Sequence, residues 1–256
     1  MAMSDVYGLA RFREYMAGLE DCYAVIGGTA CDILLREADM RFRATKDIDV
    51  ILVVEGRLPE AGRAVWRMVA GGGYTCGWKS SDRARFYRFT DPREPGFPSM
   101  IELFSTSPDF IPEPSELTIV PLPVDDEVSS LSAILLDPDY YAFMKAGRKT
   151  VDGVTVLDAV HLVPFKAKAY VDHSARKAAG EHVNSKDLKK HKKDVFRLLQ
   201  LFGPDDSAEL PASIRSDVEE FCDMARREGA PLEQIGVAFT LDEGLGMIAR
   251  AYGLRS

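Results

Sequence analysis

The sequence predicts an α+β protein: a mixed sheet with flanking helices, followed by a helical C-terminal domain. Three observations predict it. The stretch DIDVILVVE, residues 47–55, is β-branched and nearly unbroken in apolar character, as a central strand covered on both faces must be. Up to residue 157, strand and helix signals alternate. From residue 158 onward, four long helical patterns follow and strand signals nearly vanish, which divides the chain into an α/β domain over 1–157 and a helical domain over 158–256.

Residues 4–20 begin with Ser4-Asp5, good helix starters, and space Leu9, Phe12, Tyr15, Met16 and Leu19 at helical intervals. CYAVIGG then reads as a short buried strand stopped by glycine, and Thr29 as the cap of a helix running to about Arg36. After the 47–55 strand, LPEAGRAVWRMVAGGGY is a helix with Pro59 in its first turn. Gly71 to Gly73 end that helix; they follow a helix and precede a strand, the reverse of a phosphate loop. YTCGWK, ARFYRFT and SMIELFS are strand-like. Residues 107–123 are a proline-rich excursion with a short strand at LTIV. LSAILL, YYAFMKAG and VTVLD suggest further strands or a hairpin around Asp152-Gly153. The four late helices are VHLVPFKAKAYVDHSARKA, SKDLKKHKKDVFRLLQLF, SIRSDVEEFCDMARREG and LDEGLGMIARAYG.

Composition narrows the function. The 256 residues are 46% hydrophobic and 28% charged, ordinary for a folded soluble chain, and the net charge of −8 opposes a generic nucleic-acid coat. Cys22, Cys31, Cys76 and Cys222 form no CxxC pair and no metal spacing with histidine, which fits a reducing cytosol. Asp5 and Arg11 interrupt any early apolar stretch, and no run approaches the roughly 18 apolar residues of a membrane span. A cytoplasmic protein with no membrane partner is expected.

Asp47 and Asp49 lie two apart on a strand, so they project from the same face about 7 Å apart along the backbone. Two such charges repel by about 4 kcal/mol at about 4 Å and an effective dielectric of about 20. Either a divalent metal supplies the counter-charge, or Lys46, Arg43 and water neutralise two solvated aspartates. Hard oxygen ligands without histidine or cysteine would select Mg²⁺ or Mn²⁺. Gly27, Gly28 and Thr29 stand between strand and helix, where backbone N–H groups and the helix dipole attract anions. Glu102 lies in an apolar strand, where a carboxylate is expensive unless paired or metal-bound.

That order of features resembles the nucleotidyltransferase superfamily of the DNA polymerase β type over residues 20–105. Within it, IGGTACDIL, RATKDIDVIL and the helical FKAKAYVDHSARK and SKDLKKHKKDVFRLL resemble the AbiEii-type toxins of type IV toxin-antitoxin systems. The resemblance implies that Asp47, Asp49 and Glu102 are the catalytic, metal-binding acids. It implies that Gly27, Gly28, Thr29 and Lys46 hold nucleotide phosphates, with Lys166 a further phosphate contact and Asp187 or Asp194 the acid of the helical motif. Glu102 stands where an aspartate is usual, and the gap from Gly28 to Asp47 is longer than the compact pattern. The chemistry implied is attack of a hydroxyl on the α-phosphate of an NTP substrate, clamped by metals about 3.5–4 Å apart. Alternatives are nucleotide transfer to a small, aminoglycoside-like hydroxyl compound, and a catalytically silent nucleotide- or partner-binding module.

Residues 166–197 hold ten Lys/Arg against four Asp/Glu. That excess suits either a solvated face or contact with triphosphate or an RNA or tRNA acceptor. On the helix from Ser185, Lys189, Lys192 and Lys193 are expected opposite the apolar face. The spacings of His161, His173, His182 and His191 do not match a metal-ligand pair. An antitoxin would be the protein partner implied by the toxin resemblance.

Overall fold

A computed structural model describes residues 6–53, 55, 57–81, 84–105, 119–121, 134, 137–230 and 232–255. By internal contacts the chain forms two compact units, residues 1–123 with 148–157 and residues 124–147 with 158–256. The α+β class expected from the sequence is the one observed. The single boundary at residue 157 is only the last of three crossings, because a late hairpin returns to the sheet.

Among the described residues the first unit holds eight strands: β1 (Tyr23–Ile26), β2 (Asp47–Leu52), β3 (Thr75–Ser81), β4 (Ala84–Thr90), β5 (Met100–Ser105), β6 (Ile119–Pro121), β7 (Arg148–Val151) and β8 (Val154–Leu157). They form one mixed sheet in the order β6-β3-β4-β5-β2-β1-β8-β7. β2 lies at the centre, antiparallel to β1 and parallel to β5. Among the described residues three α-helices accompany the sheet: α1 (Leu9–Tyr15), α2 (Gly27–Glu37) and α3 (Leu58–Gly72). Trp66 of α3 meets Tyr87 and Phe89 of β4 edge-on, and Phe12 of α1 meets Tyr23 of β1 the same way. Alternation along the strands therefore assigns α1 and α3 to the face carrying Tyr23, Ile48, Val50 and Tyr87. The residues between these point to the opposite face. The hairpin at Asp152-Gly153 forms as expected, both residues having positive φ.

In the second unit the stretch read as a strand, YYAFMKAG, is a helix, α4 (Pro138–Ala146). Asp137 caps it, accepting the Asp139 N–H at 2.8 Å, and Pro138 opens it with a φ already suited to a helix. LSAILL lies outside the described residues apart from Ile134. α5 (Ala159–Ala178), α6 (Ser185–Leu198), α7 (Ala212–Glu228) and α8 (Leu241–Tyr252) match the four expected helices. Rings join them: Tyr140 with Phe165, Tyr170 with Phe221, and Phe196 with Phe221. Among the described residues, no helix is long and apolar enough to cross a membrane.

α5 carries Pro164 within its second turn. Proline has no N–H, so the carbonyl four residues earlier, that of Val160, loses its helical donor. The Tyr252 hydroxyl of α8 replaces it, donating to Val160 O at 2.6 Å from a side chain only 2% exposed. Tyr252→Phe should therefore lower stability by about 1–3 kcal/mol in urea unfolding, through one orphaned carbonyl. A change within error would show that Val160 finds another donor.

Candidate active site

The register places Asp49 opposite Glu102 across β2 and β5, and Glu102 opposite Arg88 across β5 and β4. Arg88, Glu102 and Asp49 thus form a row over three adjacent strands, closed on β1 by Ile26. The row lies on the sheet face opposite α1 and α3, and Asp47 shares that face two residues earlier on β2. Asp47 and Asp49 are partly exposed, whereas Glu102 is only 4% exposed.

A carboxylate so buried needs a partner. Arg88 provides it, donating Nε to Glu102 Oε1 at 2.8 Å, with Nη2 2.6 Å from the same oxygen. Burial first, and then the negative charge of Asp49, nevertheless push the Glu102 carboxyl up to about 8 against the pull of Arg88. In its neutral form Glu102 shares a hydrogen bond with Asp49. Among the described residues, no group of three His, Cys, Asp or Glu side chains is set to hold a metal ion. The three acids are neighbours, but the Glu102 carboxylate is turned to an arginine.

Gly27 begins α2 and is the point where backbone and acid meet. Its φ is +69°, and a Cβ there would overlap Asp49 Oδ2. Only glycine lets the aspartate lie against the helix start, where the dipole favours a negative charge. At Gly28 a Cβ would stand 3.1 Å from both Arg43 Nη2 and Thr45 Oγ1, so these two groups also reach the turn.

Thr29 departs from expectation. It does not cap α2, whose N-cap is Ile26 without a side-chain bond. Its hydroxyl is fully buried and donates to Asp47 O at 2.6 Å, tying α2 to β2. Thr29 therefore has a backbone N–H, rather than a hydroxyl, to offer a phosphate. Lys46 is exposed, one residue before Asp47.

Lys166 and Asp194 lie in the helical unit and face each other. Lys166 Nζ is 3.4 Å from Asp194 Oδ2, and Arg197 donates to Asp194 Oδ1 at 3.2 Å, in a pair that is 4% and 0% exposed. The Asp187 side chain lies outside the described residues. The lysine expected to touch phosphate and an acid of the helical motif thus satisfy one another. The basic segment is largely neutralised in the same way. Lys168 pairs with Asp172 and Asp217, and Arg176 with Glu181. Lys192, expected on the exposed face, is 7% exposed and pairs with Glu228 at 2.9 Å and with the Tyr170 hydroxyl. A buried tyrosine hydroxyl and a glutamate drew the lysine inward, which helical periodicity alone does not foresee. Lys186 and Lys189 remain exposed.

Arg88 escaped the sequence reading. Its signal was a cation between two aromatic residues in ARFYRFT, and only strand register reveals that it faces Glu102. Arg43, expected only as a counter-charge to the aspartates, reaches the Gly28 turn, and Thr45 was hidden in a connection without periodicity.

No family model matches the chain, and no curated protein does. Among solved structures, an antigenic nucleotidyltransferase-like protein from Paracoccidioides brasiliensis is similar, at 13% identity over 88% of each chain and a TM-score of 0.41. A likeness at that level decides nothing about the site, which stands on its own geometry.

Two outcomes follow from this geometry. Gly27→Ala should cost at least about 1 kcal/mol from backbone handedness alone, read as a lower urea midpoint. An unchanged midpoint would contradict the close approach of Asp49. The raised carboxyl of Glu102 binds a proton more tightly folded than unfolded. The stability it contributes in metal-free protein is therefore fully present below about pH 4.5 and lost as pH rises through about 8. The stability of wild type minus that of Glu102→Gln should fall between about pH 5 and about pH 9. A constant difference would place Glu102 in the ordinary carboxylate range.

Proposed function

We propose that the protein transfers a nucleoside monophosphate from an NTP to a hydroxyl acceptor with the help of Mg²⁺ or Mn²⁺. The observation that carries this reading is the apposition of Asp49 to both Glu102 and the glycine start of α2. It puts a carboxylate pair and an anion-attracting helix end within one small area.

The donor set suits a hard cation. Asp47 and Asp49 offer oxygen ligands from one face of β2, without histidine or thiolate, and are the residues that would hold it. Bound there, the cation would supply charge neutralisation to a phosphoryl group and to the crowded carboxylates. The backbone N–H groups at Gly27 and Gly28 would bind the phosphates, with Arg43 beside them. In the transfer, the acceptor oxygen forms a bond to the α-phosphorus, and the bond to the α–β bridging oxygen breaks. Pyrophosphate departs with that electron pair. Glu102, next to Asp49, would take the acceptor's proton: a bound cation would offset the charge of Asp49, which with burial raises this carboxyl, and so leave Glu102 ionised and able to accept it. Arg88 positions Glu102 for this. Most of the rate would come from positioning and charge neutralisation.

An RNA or tRNA acceptor, a toxin role and an antitoxin partner rest on the sequence resemblance to AbiEii-type toxins. The internal neutralisation of the 166–197 segment leaves them a smaller cationic surface than the count of lysines implies. The ion pair of Arg88 with Glu102 favours a second reading, a nucleotide- or partner-binding module without turnover, because it already satisfies the third acid.

Incubation with each labelled NTP, Mg²⁺ and total RNA separates the two. Transfer of label to RNA, small acceptor or protein that drops at least about a hundredfold in Asp49→Ala supports nucleotidyl transfer. Equal turnover in wild type and Asp49→Ala would remove the acids from consideration. Binding of NTP without transfer would support the silent module.

A further inference from the structure

Arg88 brings a cation of the protein's own to the row of acids. It sets both Nε and Nη2 on one oxygen of Glu102, at 2.8 and 2.6 Å. The two side chains are 11% and 6% exposed, so dissolved salt screens the pair little. Asp47 and Asp49, on the same sheet face, are partly exposed instead. The three acids thus divide into a pair open to water and a third already matched by a guanidinium.

Mg²⁺ keeps near-octahedral geometry and gives up its waters reluctantly, so proteins hold it through one or two carboxylates and leave the rest to water and substrate phosphates. Asp47 and Asp49 suit that requirement. Glu102 does not, because an ion on its carboxylate would shed waters against a buried surface and stand beside a fixed positive charge. Arginine does not lose its proton in proteins, so that charge persists at every working pH.

We propose that Arg88 keeps Glu102 out of the ligand set of the cation, so that the site takes one divalent ion, held by Asp47 and Asp49, in place of a two-metal clamp. Arg88 is a positioning residue: it fixes Glu102 beside the ion with its carboxylate left for the acceptor's proton. The proposal rests on the nucleotidyl-transfer reading for that last step, but the ligand set can be measured without turnover.

Mn²⁺ alone is titrated into the nucleotide-free full chain, and free Mn²⁺ is read by electron paramagnetic resonance. The proteins are wild type, Asp49→Ala, Arg88→Met and the double variant Arg88→Met with Glu102→Gln, with circular dichroism as the check on folding. Replacing a buried ion pair as a whole is often neutral for stability, so the double variant stays measurable even where Arg88→Met alone does not fold.

Wild type should bind one Mn²⁺, and Asp49→Ala should bind it at least about tenfold more weakly. Arg88→Met should bind at least about tenfold more tightly, because Glu102 is then released to the ion. The double variant, which removes both charges of the pair together, should return to within about twofold of wild type. A double variant at least about tenfold weaker than wild type identifies Glu102 as a ligand and overturns the proposal. Two Mn²⁺ per wild-type chain, or an Arg88→Met no tighter than wild type, also overturns it. Any of these results in a protein that transfers label from NTP leaves the transferase reading standing. The expected pattern in a protein without NTP turnover supports the single cation and removes the transferase reading.

Discussion

Two carboxylates facing each other across neighbouring parallel strands are the constraint around which the first unit is arranged. Asp49 and Glu102 occupy one register position of a central sheet, with Glu102 almost completely buried. Left alone they would oppose folding, since proximity and burial both penalise the charged forms. The protein answers from two sides. Arg88 meets Glu102 from the next strand, and the start of α2 meets Asp49 through a glycine that leaves room for its oxygen. A raised Glu102 carboxyl is what remains after both answers. A carboxyl shifted by burial together with a specific charged neighbour is a feature that clusters at functional sites.

The surrounding elements follow from that requirement. Gly27 must have positive φ and no side chain, which sets where β1 ends and α2 begins. Thr29 gives its hydroxyl to Asp47 O and so locks the helix to the strand that bears the acids. The opposite sheet face is packed with aromatic residues against α1 and α3, which gives the charged face a rigid support. The second unit handles charge differently. Its lysines and acids are brought together in pairs such as Lys166 with Asp194 and Lys192 with Glu228. Removal of one partner there would leave a buried charge uncompensated.

Much of the fold was legible because period and punctuation agreed. β2 is an apolar run, and the four late helices have clear caps or closing glycines, as with the Thr240–Glu243 capping box. YYAFMKAG was misread because a short apolar run fits strand or helix equally. The deciding information was Asp137-Pro138, a cap followed by a first-turn proline. At the candidate site the order of glycines and acids was legible, and their spacing on β2 followed from strand alternation. Arg88 was not, since which residue faces Glu102 depends on how β4 pairs with β5. Thr29 and Lys192 illustrate a second limit. Sequence shows that a polar group can bond, but only packing decides whether a carbonyl or a phosphate, a glutamate or solvent, receives the bond.

The central proposal is that Asp47 and Asp49 on β2 receive a cation together with a nucleotide, beside Glu102 on β5. It is tested most directly by a ¹³C NMR titration of the Glu102 carboxyl, first in metal-free protein and then with Mg²⁺ and a non-hydrolysable NTP. The account predicts a pKa near 8 without metal, falling well below that value once the cation offsets the charge of Asp49. A Glu102 that titrates like a free glutamate throughout, or one whose raised value is unmoved by metal and nucleotide, would contradict it.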